Sequence, residues 1–219
     1  MARSASERPV SGQAGSPAPS ARVSWCDGWL EGARRIESPN CGPRPEGVSI
    51  DLALVHSISL PPGHYGGDAI ERLFTNRLDW DAHPYYALIR GFRVSAHFLV
   101  RRDGELLQFV SCDARAWHAG ASAWRGRSDC NDFSIGIELE GLEGEGFETP
   151  QYGTLAGLVQ RVAQRYPIAA VVGHEHVAPG RKHDPGAGFE WPRFAALLRP
   201  FAPDFPEGAV ETERAPPRG

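Results

Sequence analysis

Along residues 49–59 (SIDLALVHSIS) apolar side chains fill the middle almost without a break, the pattern of a central strand buried on both faces. Residues 134–140 (SIGIELE) alternate instead, with Ile135, Ile137 and Leu139 on one side and Gly136, Glu138 and Glu140 on the other. Residues 96–102 and 105–111 read as a hairpin turned at Asp103–Gly104, and residues 169–173 as a further short strand. A helical spacing is read at 24–35 from Trp25, Trp29 and Leu30. It recurs after Asp68, a candidate cap, where Ile70, Leu73 and Phe74 share a face. Thr149 as cap and Pro150 in the first turn start a longer helix that buries Tyr152, Leu155, Leu158, Val159 and Val162, and Trp191–Pro192 opens the last one. Strands and helices mix without strict alternation. The expected fold is therefore α/β of the mixed, α+β kind: a single mixed β-sheet flanked by helices.

Composition sets the limits of that domain. Of 219 residues, 41% are hydrophobic and 23% charged, which is ordinary for a packed globular body. Fifteen of the first 21 residues are Ala, Gly, Pro or Ser with no aromatic among them, too little apolar surface to offset the entropy of ordering. Residues 1–21 are expected to form a disordered tail, 22–202 the folded domain, and 203–219, with four prolines, a flexible C-terminal tail. The N-terminal stretch lacks the apolar core of a secretory signal, and no run of about 18 apolar residues offers a membrane span. A net charge of −4 argues against a dedicated nucleic-acid binder. Cys26, Cys41, Cys112 and Cys130 form no C-x-x-C pair, so four reduced thiols in a cytoplasmic protein is the plain expectation.

Chemistry concentrates where apolar strands run out into polar loops. His56 ends the buried strand at Val55-His56-Ser57, and His174 stands at Gly173-His174, upstream of Arg181-Lys182-His183-Asp184-Pro185-Gly186. Two imidazoles and one carboxylate form the three-ligand set of a catalytic zinc site, which keeps a fourth position open. His56, His174 and Asp184 are the candidate ligands for Zn²⁺. Two rivals remain. Alternation in an extended 182–184 segment puts Lys182 and Asp184 on one side and His183 on the other, favouring Asp184, but it does not exclude His176.

The blocks LVHSISLPPGHYGG, AHPYY, RVSAHFLVRRDGE, RAWHAG, CNDFSIGIELEG and VVGHEHVAPGRKHDPG resemble, in order, those of the AmpD-type amidases, from about Gly28 to Trp191. Those zinc amidases are related to phage-type amidases and peptidoglycan recognition proteins. The resemblance implies hydrolysis of the amide between the lactyl group of 1,6-anhydro-N-acetylmuramic acid and L-alanine of muropeptides, in peptidoglycan recycling in the cytoplasm. It implies zinc on His56, His174 and Asp184, a catalytic Glu138 and a charge-stabilising Lys182. Arg93, Tyr85, Trp117 and His118 lie in matching blocks and are expected to touch sugar or peptide, an arginine fork suiting a stem-peptide carboxylate. His83 and His97 are read as structural, Glu140 as a solvated strand residue. Ser57 departs from the asparagine usual after the first histidine, and His176 and His183 stand where small or polar residues are usual.

The expected partner is the anhydro-muropeptide substrate, with no membrane insertion and no obligate protein partner. Two other functions compete: an amidase of intact peptidoglycan outside the cytoplasm, and a silent peptidoglycan-binding module. The missing secretory signal weighs against the first, and a complete ligand set against the second.

Overall fold

The computed structural model describes residues 24–210. Its elements, in chain order, are β1 (Trp25–Cys26), β2 (Trp29–Leu30), β3 (Arg34–Arg35), β4 (Cys41–Gly42), β5 (Leu52–Ile58), α1 (Ala69–Phe74), α2 (Pro84–Leu88), β6 (Phe98–Val100) and β7 (Leu106–Gln108). They continue with β8 (Arg115–Ala116), β9 (Ala123–Trp124), β10 (Arg127–Ser128), β11 (Ser134–Glu140), α3 (Thr149–Arg165), β12 (Ala170–Gly173), α4 (His174–Val177) and α5 (Trp191–Leu198). Six strands make one mixed sheet in the order β12-β5-β11-β6-β7-β3, and three two-stranded ladders sit around it. The expected mixed sheet with flanking helices is what forms.

Strand β5 pairs in parallel with β11 on one side and β12 on the other, so both of its edges are hydrogen-bonded. Ala53 and Val55 join Ile135, Ile137, Leu139 and the apolar stripes of α3 and α5 in the main core. Leu52 and Leu54 face the opposite way and pack with Val172, Phe133 and Val177. A third cluster, around Leu99, Leu107 and Phe109, is closed by Ile70, Leu73 and Phe74 of α1. The strand face opposite α3 and α5 is thus filled at both ends and left open between them. His56 lies on that face, two residues beyond Leu54.

Four local expectations change. Residues 24–35 form no helix: Asp27 and Gly28 both take positive φ (48° and 75°), and Trp25 pairs with Leu30 across a tight hairpin. The Asp-Gly pair is the stronger local signal, since this turn requires two left-handed residues in succession. The long helix is capped at Glu148, one residue before Thr149, and Gln151 Oε1 accepts the Glu148 N–H at 3.0 Å. Asp68 flanks α1 as expected but makes no cap hydrogen bond, its carboxylate binding Arg72 at 2.7 Å instead. Residues 203–210, assigned to the tail, hold to the domain. Asp204 exchanges backbone hydrogen bonds with Ala169 and Val171, and Phe205 packs beside Trp191 and Phe194. The segments 1–21 and 211–219, both expected to be tails, lie outside the described residues.

All four cysteines are free thiols, and Cys112 and Cys130 are buried. No helix among the described residues is long and apolar enough to cross a membrane.

Candidate metal centre and cleft

Parallel pairing carries the key side chains to one edge of the sheet. In β11 and β5, Glu138 stands directly beside His56, and Gly173 ends β12 opposite Val55, so that His174 follows immediately as the first residue of α4. Functional groups at the carboxyl ends of parallel strands are a general consequence of this geometry. Asp184 comes from the loop after α4. A Cβ at position 173 would meet Pro185 Cδ at 2.7 Å, so Gly173 is what lets this loop close against the strand end. The Asp184 carbonyl then accepts the Glu175 N–H at 3.0 Å.

Three atoms converge: His56 Nδ1, His174 Nδ1 and Asp184 Oδ2. The two nitrogens are 2.9 Å apart, and the carboxylate oxygen lies 3.1 Å and 3.2 Å from them. All three residues are buried. His174 Nε2 donates to the Ala119 carbonyl at 3.0 Å, and its Nδ1 is directed into the cluster. The Ala119 peptide is itself held on both sides, by Asn131 Oδ1 at 2.8 Å and by the Arg181 guanidinium at 2.8 Å.

Electrostatics match the crowding. Burial pushes His56 down to about 4, with His174 and Lys182 acting in the same direction and Asp184 against them. Burial alone would raise Asp184, but the adjoining His174 and His56 outweigh it and hold the carboxyl far below the usual range. Glu138 goes the other way: burial and the Asp184 charge push it well above the ordinary value, with Lys182 opposing. Its Oε2 is buried with no hydrogen-bond partner, a costly condition that a group entering the cleft relieves. Two imidazoles, one carboxylate and an orphaned acid nearby are a donor set that suits zinc with an open coordination position.

The cluster opens into a cleft of about 520 Å³ lined by Ser57, Tyr85, Ile89, Phe92, His118, Glu138 and Lys182, among others. A smaller neighbour of about 250 Å³ is lined by Arg93, Trp117, His118, Arg181 and Lys182. All nine residues singled out from the sequence therefore line one of two adjoining clefts. Neither rival belongs to the cluster, although His183 lines the larger cleft. His176 Nδ1 accepts the Gly173 N–H at 3.0 Å with its ring against Trp191, and His183 is exposed. His97 is buried, its Nδ1 accepting the Gly136 N–H at 2.9 Å, and His83 caps α2 by accepting the Tyr85 N–H.

Glu140 is not solvated. It is 2% exposed, bound to Arg101 at 2.8 Å, and its carboxylate also accepts the Gly66 N–H at 2.6 Å. Three supporting residues were invisible in the one-dimensional pattern: Arg44, Asn131 and Ser134. Arg44 donates to the carbonyls of Cys112, Asn131, Asp132 and Ser134, so one guanidinium ties the segment before β11 in place. The only cue in the sequence was a charged residue set between two prolines, Pro43 and Pro45.

Residues 46–187 match the family model described as N-acetylmuramoyl-L-alanine amidase. The chain is 52% identical over 176 residues to the 1,6-anhydro-N-acetylmuramyl-L-alanine amidase AmpD of Citrobacter freundii, covering 80% of this chain and 94% of that one. A crystal structure of a selenomethionine AmpD derivative superposes with a TM-score of 0.77 at 51% identity, covering 80% of this chain and 99% of the other. At 30% identity and a TM-score of 0.50 it also resembles AmiD from E. coli solved with the substrate anhydro-N-acetylmuramic acid-L-Ala-D-gamma-Glu-L-Lys, covering 70% of this chain and 60% of that one.

Proposed function

Because the chain belongs to the N-acetylmuramoyl-L-alanine amidase family, we propose that it hydrolyses the amide joining the lactyl group of 1,6-anhydro-N-acetylmuramic acid to L-alanine in muropeptides, as a zinc enzyme of peptidoglycan recycling in the cytoplasm. The observation that carries the reading is the convergence of His56, His174 and Asp184 beside the unpartnered Glu138 carboxylate. In this reading the three converging side chains hold the metal, each through the atom already directed into the cluster. When bound, zinc supplies Lewis acidity toward the scissile carbonyl and the attacking water.

The remaining chemistry belongs to the chain. Glu138 Oε2 takes the proton of the attacking water and delivers it to the departing alanine nitrogen, a general-base then general-acid cycle. Its environment, which pulls the carboxyl up from its ordinary value, suits a group that must hold a proton between the two steps. Lys182 lines both clefts, and its charge acts on Glu138, so it is placed to offset negative charge on the carbonyl oxygen. Tyr85 and the apolar wall of Ile89 and Phe92 accept the sugar, while Arg93 and Trp117 in the side cleft take the stem peptide, Arg93 through a carboxylate.

The test is direct. Purified protein with zinc is mixed with anhydro-muropeptide, and in parallel with whole sacculi, and released stem peptide is followed by mass spectrometry. Release from the small substrate supports the proposal. No release from it, or faster release from sacculi, overturns it.

A further inference from the structure

His118 was expected to touch substrate, yet both of its ring nitrogens are engaged inside the protein. Nδ1 lies 2.9 Å from His56 Nε2, and Nε2 lies 3.3 Å from Ser134 Oγ. Its backbone N–H is held by Asn131 Oδ1 at 3.0 Å. The ring lies over Gly136, where a Cβ would come within 2.5 Å of it, so the strand has been cleared for this imidazole.

The direction of each hydrogen bond can be worked out from the far end. Ser134 Oγ is 2.6 Å from the Cys130 carbonyl, which only accepts, so the single hydroxyl proton is donated there. Toward His118 the hydroxyl oxygen can then only accept, and His118 Nε2 must carry the proton. No carboxylate pairs with His118 among the described residues, so nothing there holds a second proton on the ring. His118 Nδ1 is therefore a bare acceptor, and His56 must present Nε2–H to it. In that tautomer the other ring nitrogen of His56, Nδ1, points at His174 Nδ1 and Asp184 Oδ2.

We propose that His118 is a positioning residue: the chain Cys130–Ser134–His118–His56 selects the His56 tautomer whose Nδ1 is free to bind a metal ion. The role of Ala119 is the same for His174, but there a backbone carbonyl does what a side-chain relay does for His56. The inference rests on the zinc reading above. Partners one shell removed from a ligand commonly set metal affinity by about 10–100-fold.

The test uses the full chain and its His118→Phe, His118→Asn and Ser134→Ala variants, each checked for folding by circular dichroism. Zinc affinity is measured by competition with a chromogenic chelator. His118→Phe keeps the ring but removes the acceptor and should bind zinc about 10–100-fold more weakly. His118→Asn places an amide oxygen near the position of Nδ1 and should recover most of that loss. Long-range ¹H–¹⁵N spectra of the unaltered protein should show His118 protonated on Nε2, and Ser134→Ala should mix its tautomers. Equal affinity in His118→Phe, no recovery in His118→Asn, or a proton on His118 Nδ1 overturns the proposal. If the unaltered protein itself takes up no zinc, the metal reading fails instead, a result distinct from each of these.

Discussion

Gly136 and His118 compete for one volume. The imidazole occupies the place where a side chain on this β11 position would begin. Gly136→Ala should force the ring or the strand to move. Overpacking of this kind typically costs about 1–3 kcal/mol. A urea midpoint should fall accordingly, and zinc affinity should fall with it because His118 can no longer sit against His56. A midpoint and affinity equal to those of the unaltered chain would mean that the ring is free to lie elsewhere.

Lys182 and Asp184 are two residues apart but should fail differently. Asp184 belongs to the converging cluster, whereas Lys182 lines the cleft beside it. Lys182→Ala should retain stoichiometric metal after dialysis while losing turnover by about 10²–10³, the usual effect of removing one charge-stabilising donor. Asp184→Ala should lose both. Metal analysis beside single-substrate kinetics separates the two, and equal metal retention in both variants would remove Asp184 from the ligand set.

His97 should make the fold acid-sensitive. Burial, aided by the Arg44 charge and opposed by the Ala114 carbonyl, lowers it to about 3 from an ordinary value near 6.5. Between those values the unfolded chain binds a proton that the folded chain excludes, so stability rises with pH across the window. The contribution is complete above about pH 6.5 and fades as pH falls toward 3, at close to 1.4 kcal/mol per pH unit. Urea unfolding of metal-free protein from pH 4 to 7 should show this slope, and His97→Gln should flatten it by about one proton's worth. An unchanged slope in the variant would mean that other groups carry the acid limb.

Arg101 is buried between Glu71 and Glu140, at 2.8 Å from each. Glu140→Ala leaves that guanidinium with one carboxylate and strips the Gly66 N–H of its acceptor. Removing one partner of a buried pair costs about 3–5 kcal/mol, so the melting temperature should drop well beyond the effect of an exposed substitution. The paired change Arg101→Met with Glu140→Leu should recover part of the loss, because no unpaired charge remains. A Glu140→Ala melting point within a degree or two of the parent would show that the network is solvated in solution.

Much of this protein could be read from order and pattern along the chain. Alternation in residues 134–140 assigned Ile135, Ile137 and Leu139 to the core and Glu138 to the opposite face, where all of them lie. The unbroken apolar run before His56 marked a strand covered on both sides, and its polar exit marked the edge where the cluster forms. Such features are local, because side-chain direction repeats every two residues in a strand whatever surrounds it. What depended on the third dimension was which polar groups meet. His56, His118, His174 and Asp184 span 129 positions, and no spacing rule links them. Parallel pairing of β5 with β11 and β12, the loop closure that Gly173 permits and the space that Gly136 leaves for His118 bring them within hydrogen-bonding distance. The same holds for Glu140, which an alternating pattern can only place on the polar face. Whether that face meets water or a buried arginine is decided by the elements that fold over it, and those come from elsewhere in the chain.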